Sequence, residues 1–212
     1  MDDKIYIKEL QESIARYSDM RAYESLYKLL FPSLFHFSHS FVRSREAAEE
    51  IVSDVFIKIW ELGTRLSEVE NLKAYLYKVT KNFSLNYISR NYKHIQLSID
   101  ELPFDDIITC EDPEAMLLSG EAVRRIHQCI RELPPKCRII FQLVKIDGLS
   151  YEEVADVLGL SLFTVRNQMS IGLRKMTESL PALNLGAPAP KGDTSQNKET
   201  GTWDQKRELP EK

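Results

Sequence analysis

Arg166, Asn167 and Gln168 follow one another in a stretch whose apolar residues recur every three or four positions. On a helix with that period, such neighbours spread over the outward arc. The chemistry they offer is hydrogen bonding to nucleobase edges: Arg166 suits guanine, and Asn167 or Gln168 suits adenine. Ser161 and Thr164 stand at the start of the same stretch. Arg174 and Lys175 stand near its end and suit phosphate oxygens, which position a protein on a duplex without specifying sequence. Ile171 lies on the outward flank and either touches a thymine methyl or packs. A second basic set, Lys73, Lys78, Lys81, Arg90 and Lys93, is interleaved with Tyr75, Tyr77, Asn82, Asn86 and Tyr87, and residues 71–99 contain no acid. Cations attract phosphates, while aromatic faces and amides hold unstacked bases. A third set is apolar: Phe56 and Trp60, spaced i, i+4, with Ile57 between them and Asp54 beside them.

The elements that must carry these groups are helical. Residues 22–42 place Tyr23, Leu26, Tyr27, Leu30, Leu34 and Phe41 on one face, with Pro32 expected to kink or divide the helix. Residues 45–62 carry one stripe of Ala48, Ile51, Val52, Val55 and Ile59, and the Phe56–Trp60 stripe besides it. The pattern alone leaves the second stripe either in the core or facing a partner. Residues 72–93 bury Leu72, Leu76, Val79 and Phe83. Further on, Arg124–Leu133 and Lys136–Ile146 read as amphipathic helices separated by Pro134-Pro135. Then Ser150-Tyr151-Glu152-Glu153 forms a capping box, Gly159 ends the helix it starts, and Ser161 caps the next. That last helix turns Val165, Met169, Leu173 and Met176 inward. The pair is a helix-turn-helix whose second helix is free for a major groove.

The fold class is therefore all-α, two small helical domains joined by an acidic linker. The expected boundaries are 1–94, a linker at 95–120, 121–180, and a disordered Pro-, Gly- and Ser-containing tail at 181–212. A net charge of −4 and a pI near 5.7 argue, taken whole, against a nucleic-acid binder. Its distribution reverses that: residues 100–121 hold eight acids and no Lys or Arg, and the other 190 residues net +4. No catalytic constellation, phosphate loop or cofactor motif is present, so an enzyme is not expected. His36, His39, His94, His127 and the three cysteines form no ligand pattern, so neither metal nor disulfide frame is expected. No apolar run is long enough to insert in a membrane, and the start lacks a signal peptide, so a cytoplasmic protein without a small-molecule substrate is expected.

Three segments resemble the extracytoplasmic-function group of sigma-70 family RNA polymerase sigma factors. Ala47-Ala48-Glu49-Glu50-Ile51-Val52-Ser53-Asp54-Val55-Phe56-Ile57-Lys58-Ile59-Trp60 is similar to the segment that docks on the polymerase clamp. Asn71–Asn82 resembles the −10 reader. Glu132–Arg138 followed by Gly148–Ala155 resembles the −35 module. The resemblance spans roughly residues 20–180. It implies that Asp54, Phe56, Ile57 and Trp60 meet core RNA polymerase. It implies that Lys73, Lys78 and Lys81 hold phosphates near the −10 element, with Tyr75, Tyr77, Asn86 and Arg90 around them and Asn82 near a flipped base. It implies that the acidic linker threads the basic channels of the polymerase, and that a separate anti-sigma factor regulates the chain. A stand-alone regulator using only the helix-turn-helix, and a nuclease using the linker acids, are the competing readings. The first leaves Trp60 and the basic helix unexplained, and the second lacks a scaffold for a metal.

Overall fold

The computed structural model describes residues 3–91 and 121–179, with side chains described from residue 125 onward in the second block. The linker and tail expected at 95–120 and 181–212, and Lys93, lie outside the described residues. Within them every regular element is a helix: α1 (Asp3–Tyr17), α2 (Met20–Val42), α3 (Arg45–Leu62), a 3₁₀ turn (Gly63–Glu68), α4 (Leu72–Asn91), α5 (Glu121–Arg131), α6 (Pro135–Phe141), a π-helical turn (Gln142–Ile146), α7 (Tyr151–Leu158) and α8 (Leu162–Ser179). None is long and apolar enough to cross a membrane.

Helix starts are set by short polar side chains. Asp19 caps α2 by accepting from the N–H groups of Arg21 and Ala22, and the Ser13 hydroxyl donates to its other oxygen. Those donors hold the Asp19 carboxyl below the usual range. Ser44 caps α3 through the Ala47 N–H. Pro32 does not divide α2: the helix is one element from Met20 to Val42, and the Ser33 hydroxyl donates to the Leu30 carbonyl in the turn preceding the ring. The buried faces of α1 to α4 share one core around Leu26, Leu34, Val52, Phe56, Leu66, Leu72 and Leu76. Buried Gln11 on α1 donates to the carbonyls of Leu66 and Val69, both at 2.7 Å, which fixes the bend between α3 and α4.

In the second block, α6 begins with Pro135 at its first turn, where a missing N–H costs nothing. Buried Arg138 donates to the carbonyls of Arg131 and Leu133, satisfying the C-terminal end of α5 with a positive charge. The helix expected over 136–146 is shorter: α6 stops at Phe141 and the chain continues as the π turn, bringing the Asp147 N–H onto the Gln142 carbonyl at 2.9 Å. The capping box forms as read. The Glu153 N–H reaches the Ser150 hydroxyl at 3.1 Å, and the Ser150 N–H reaches the Glu153 carboxylate at 2.7 Å. Gly159 takes φ +71 at the turn. Gly172 was not singled out in the sequence, yet it sets how α8 packs. A Cβ there would stand 2.9 Å from the Cys137 sulfur, so only glycine lets α8 close on α6 without a shift.

Candidate nucleic-acid interface

Helix α8 is the more open of the two basic helices. Val165, Met169, Gly172 and Met176 are buried, which fixes the rotation of the helix. Arg166, Asn167, Ser170, Arg174 and Lys175 are then exposed, with Gln168 half-buried at the edge. Ser161 accepts from the Thr164 N–H at 3.0 Å, and the two hydroxyls lie 2.8 Å apart, so both serve the cap at the helix start. Arg166 lies 3.7 Å from Glu152 on α7, and Arg174 lies 3.9 Å from Glu178. Both pairs are solvent-exposed and worth at most about 1 kcal/mol. Ile171 is half-buried and packs against the core. Of the two roles open to it in the sequence, packing is the one seen.

Helix α4 is divided along its length. Its second half exposes Asn82, Asn86 and Arg90 at successive intervals of four, one line of amides and a guanidinium on a single face. Its first half lies under the helix-turn-helix. Tyr77 is buried, with its ring edge-on to Phe37 at 5.0 Å. Lys81 is 9% exposed, its ammonium 3.8 Å from where a Cβ on Gly159 would sit. Burial, with Lys78 nearby, lowers the Lys81 pKa, and Asp156 partly offsets this. Lys78 reaches both oxygens of Asp156 on α7, at 2.8 and 2.9 Å. Lys73 and Tyr75 are half-buried. Asn71 joins the two helix starts. Its carbonyl oxygen accepts the Ala74 N–H, and its amide donates to the same Glu153 that completes the capping box. Asp147 is buried against this seam. Burial pushes its carboxyl up to about 6, while the Tyr77 hydroxyl and Lys73 pull the other way. A cavity of about 750 Å³ continues the seam between α1, Asn71–Lys73 and the Ile146–Leu149 turn.

The expectation for Tyr77 and Lys81 is therefore corrected for this arrangement. Neither is presented to solvent: the Tyr77 ring packs on Phe37 of α2, and the turn at Gly159 stands over the Lys81 ammonium.

The apolar set on α3 also separates. Ile57 and Trp60 are exposed, at 54% and 36%, and Asp54 is exposed beside them. Phe56 is 1% exposed and corrects its expected surface role: it packs on Tyr27 at 4.7 Å and under Tyr23 at 6.1 Å. Tyr23 in turn meets Trp60 edge-on at 5.2 Å. Sequence reasoning missed how far this aromatic packing runs. Tyr23, Tyr27, Phe31, Phe35 and His39 recur every four residues along α2, and successive rings from Tyr27 to His39 stack. The i, i+4 recurrence was the available signal.

With that geometry in view, the similarities are informative. The family model for sigma-70 region 2 matches residues 26–94, and that for sigma-70 region 4 matches residues 123–176; together they span more than half of the chain. The chain is 24% identical over 164 residues to the ECF RNA polymerase sigma factor SigE of Mycolicibacterium smegmatis, covering 76% of this chain and 62% of that protein. It is 24% identical over 169 residues to the RNA polymerase sigma-H factor of Pseudomonas aeruginosa, covering 76% and 87%. Among solved structures, the sigma factor RpoE of Bartonella quintana, in complex with the anti-sigma factor NepR, has a TM-score of 0.49 at 19% identity, covering 77% of this chain and 99% of that one.

Proposed function

The chain belongs to the sigma-70 family of RNA polymerase sigma factors, in its extracytoplasmic-function group, and from that premise we propose that it is a promoter-specificity subunit rather than an enzyme. The unit of α1 to α4 binds core RNA polymerase and the −10 element. The helix-turn-helix unit of α5 to α8 reads the −35 element. The observation that carries this reading is the exposed line Arg166–Asn167–Ser170–Arg174 on a helix capped at Ser161 and locked from behind by Gly172. Arg166 and Asn167 discriminate bases, by roughly 1–3 kcal/mol for each bidentate pair. Arg174 and Lys175 hold phosphates, and Ser161, Thr164 and Gln168 flank them.

At the other end, Asp54, Ile57 and Trp60 form the polymerase contact, with Phe56 as the packing beneath Tyr23 and Tyr27. Asn82, Asn86 and Arg90 are the part of α4 already open to separated DNA. Lys73, Tyr75, Lys78 and Lys81 join them once α7 leaves α4, while the Tyr77 ring stays packed on Phe37 beneath them. A flipped base costs a few kcal/mol of unstacking. A surface that binds the separated strand better than the duplex shifts that equilibrium without ATP or a metal. Cytoplasmic action and control by a separate anti-sigma factor belong to the same proposal.

Run-off transcription with purified core enzyme, the full chain and a genomic fragment library tests it. Discrete start sites that depend on the chain are expected. Failure to bind core in the absence of any anti-sigma factor, with no start sites, overturns the reading. Trp60→Ala is expected to weaken core binding at unchanged helicity; loss of both together would instead make Trp60 part of the core.

A further inference from the structure

One exposed side chain on α8 is not used by the reading above. Phe163 is 80% exposed, more than any other large apolar residue among those described. Leaving a phenyl group in water forgoes roughly 1.5–3 kcal/mol of burial. The residue does not lack an alternative only because the helix is loose: Val165, Met169 and Gly172 are buried behind it, and turning α8 to hide Phe163 would bring them out. Phe163 sits two residues past the capping Ser161, in the first turn, where recognition helices meet base edges. Its intervals to Asn167, Ser170 and Arg174 are four, seven and eleven residues, so all four share one face. Around it the surface is complementary to a nucleic acid. Arg166, Arg174 and Lys175 are cationic, and the N-terminal end of α8 carries the positive end of its dipole. The apolar group that a major groove offers is the thymine 5-methyl, and phenylalanine is among the side chains that contact it.

We propose that Phe163 is a specificity residue that reads the 5-methyl group of one thymine in the −35 element. This rests on α8 being the −35 helix. Arg166 and Asn167 then set the hydrogen-bonded positions, and Phe163 sets a neighbouring position by apolar contact alone.

The test uses holoenzyme assembled from core RNA polymerase and the full chain. It selects from a duplex library randomised over the −35 region, amplified once with dTTP and once with dUTP, which removes only the methyl. Wild-type holoenzyme is expected to enrich T over C at one position of the thymine library, by roughly three- to ten-fold. In the uracil library that preference falls to near unity while the remaining positions keep theirs. Phe163→Ala is expected to give the uracil profile on both libraries, and Phe163→Leu to retain part of the preference. A wild-type motif unchanged by Phe163→Ala, or a preference that survives in uracil, overturns the proposal and leaves the −35 role of α8 intact. A loss of recovery uniform over all sequences in both libraries overturns it in favour of a polymerase contact. No enriched motif for wild-type holoenzyme overturns the reading of α8 itself.

Discussion

Helices α4 and α8 are both basic, both interleave cations with amides, and both are proposed to bind DNA, yet the structure treats them differently. On α8 packing and reading are on separate faces: Gly172, Met169 and Val165 look inward, and Arg166, Asn167 and Arg174 look out. On α4 the first half serves two surfaces. Tyr77 and Lys81 are buried, Lys78 is held by Asp156, and Asn71 is held by Glu153. A helix with divided faces is available to a ligand as it stands. A helix whose readers also hold a neighbouring unit is available only when that neighbour leaves, so its affinity is reduced by the cost of separation. On the proposed roles, the arrangement gives α8 standing access to a −35 duplex and makes −10 reading by α4 conditional. That order suits a protein that should engage separated strands only after docking.

The largest expected effect removes the open half of the comparison. Gly172→Leu forces a branched side chain against the Cys137 sulfur, the Phe141 ring and Leu133. Overpacking of that kind typically costs 1–3 kcal/mol and here displaces α8, so about 3 kcal/mol is expected. Thermal unfolding followed by circular dichroism should show an early transition from the C-terminal unit. Binding to −35 duplex should be lost, while binding to core polymerase persists. If −35 binding survives, α8 is not positioned by its packing on α6.

The next effect concerns the cover on α4 and its pH dependence. The Asp147 carboxyl, pushed up to about 6 from an ordinary value of 3.8, binds more protons in the folded state across that interval. Folded stability from this group therefore falls as pH rises from about 4 to 6, and the penalty is fully present above 6. His36 works in the opposite sense. Burial, with His39 nearby, lowers its pKa from 6.5 to about 4, so its contribution is present above 6.5 and is lost as pH falls towards 4. The two nearly cancel in the same window. Asp147→Asn is expected to stabilise the fold at pH 7.5 by roughly 2 kcal/mol, because the buried charge is gone. It should also leave a steeper loss of stability below pH 6.5, from His36 alone. Chemical denaturation at pH 5 and 7.5 checks both. A gain at pH 5 equal to that at pH 7.5 would place the Asp147 charge outside the seam.

How much of this contrast the sequence disclosed depends on whether the signal is local. The capping box at Ser150–Glu153, the turn at Gly159 and the inward set Val165, Met169, Leu173 and Met176 depend on residues within one or two turns of one another, and each is found as read except that Leu173 is only half-buried. Phe56 and Trp60 share a spacing but not a fate: the partners that bury Phe56, Tyr23 and Tyr27, lie about 30 residues away on α2. Tyr77 and Lys81 look like an accessible aromatic and cation because nothing within α4 covers them. Phe37, about 40 residues earlier on α2, packs on Tyr77, and what stands over Lys81 comes from Asp156 and Gly159, across a segment whose composition reads only as a spacer. Gly172 needed knowledge of Cys137 in space. Phe163 falls on the outward arc of the same helical period, but how fully it is exposed follows only from the packing of α8.

A smaller effect tests the conditional half directly. Asp156 is no part of the proposed reading surface, and Asp156→Asn removes the partner of Lys78. The pair is about half exposed, so less than about 1 kcal/mol is expected, equivalent to up to about five-fold in the separation equilibrium. Binding of a single-stranded −10 oligonucleotide should tighten by that factor, and the −35 duplex should bind as before. The difference from wild type should shrink at 0.5 M salt, where such pairs are screened. Tightening of both sites would mean that the two helices are not distinguished by the cover.

The smallest effect lies on the open helix. Glu152 on α7 faces Arg166 at 3.7 Å, with both side chains more than half exposed. Glu152→Gln should change stability by less than about 0.5 kcal/mol, since an exposed pair contributes little and the carboxamide keeps the volume. Its consequence for DNA is separate from stability. It removes a negative charge from beside the groove-facing guanidinium, so the −35 duplex should bind up to about three-fold more tightly at low salt, with the advantage fading as salt rises. Base preference should stay the same, because Glu152 restrains Arg166 without supplying a hydrogen bond to a base. A change in preference at the position read by Arg166 would show that Glu152 selects the rotamer that reads it. The open helix would then depend on a neighbour much as α4 does.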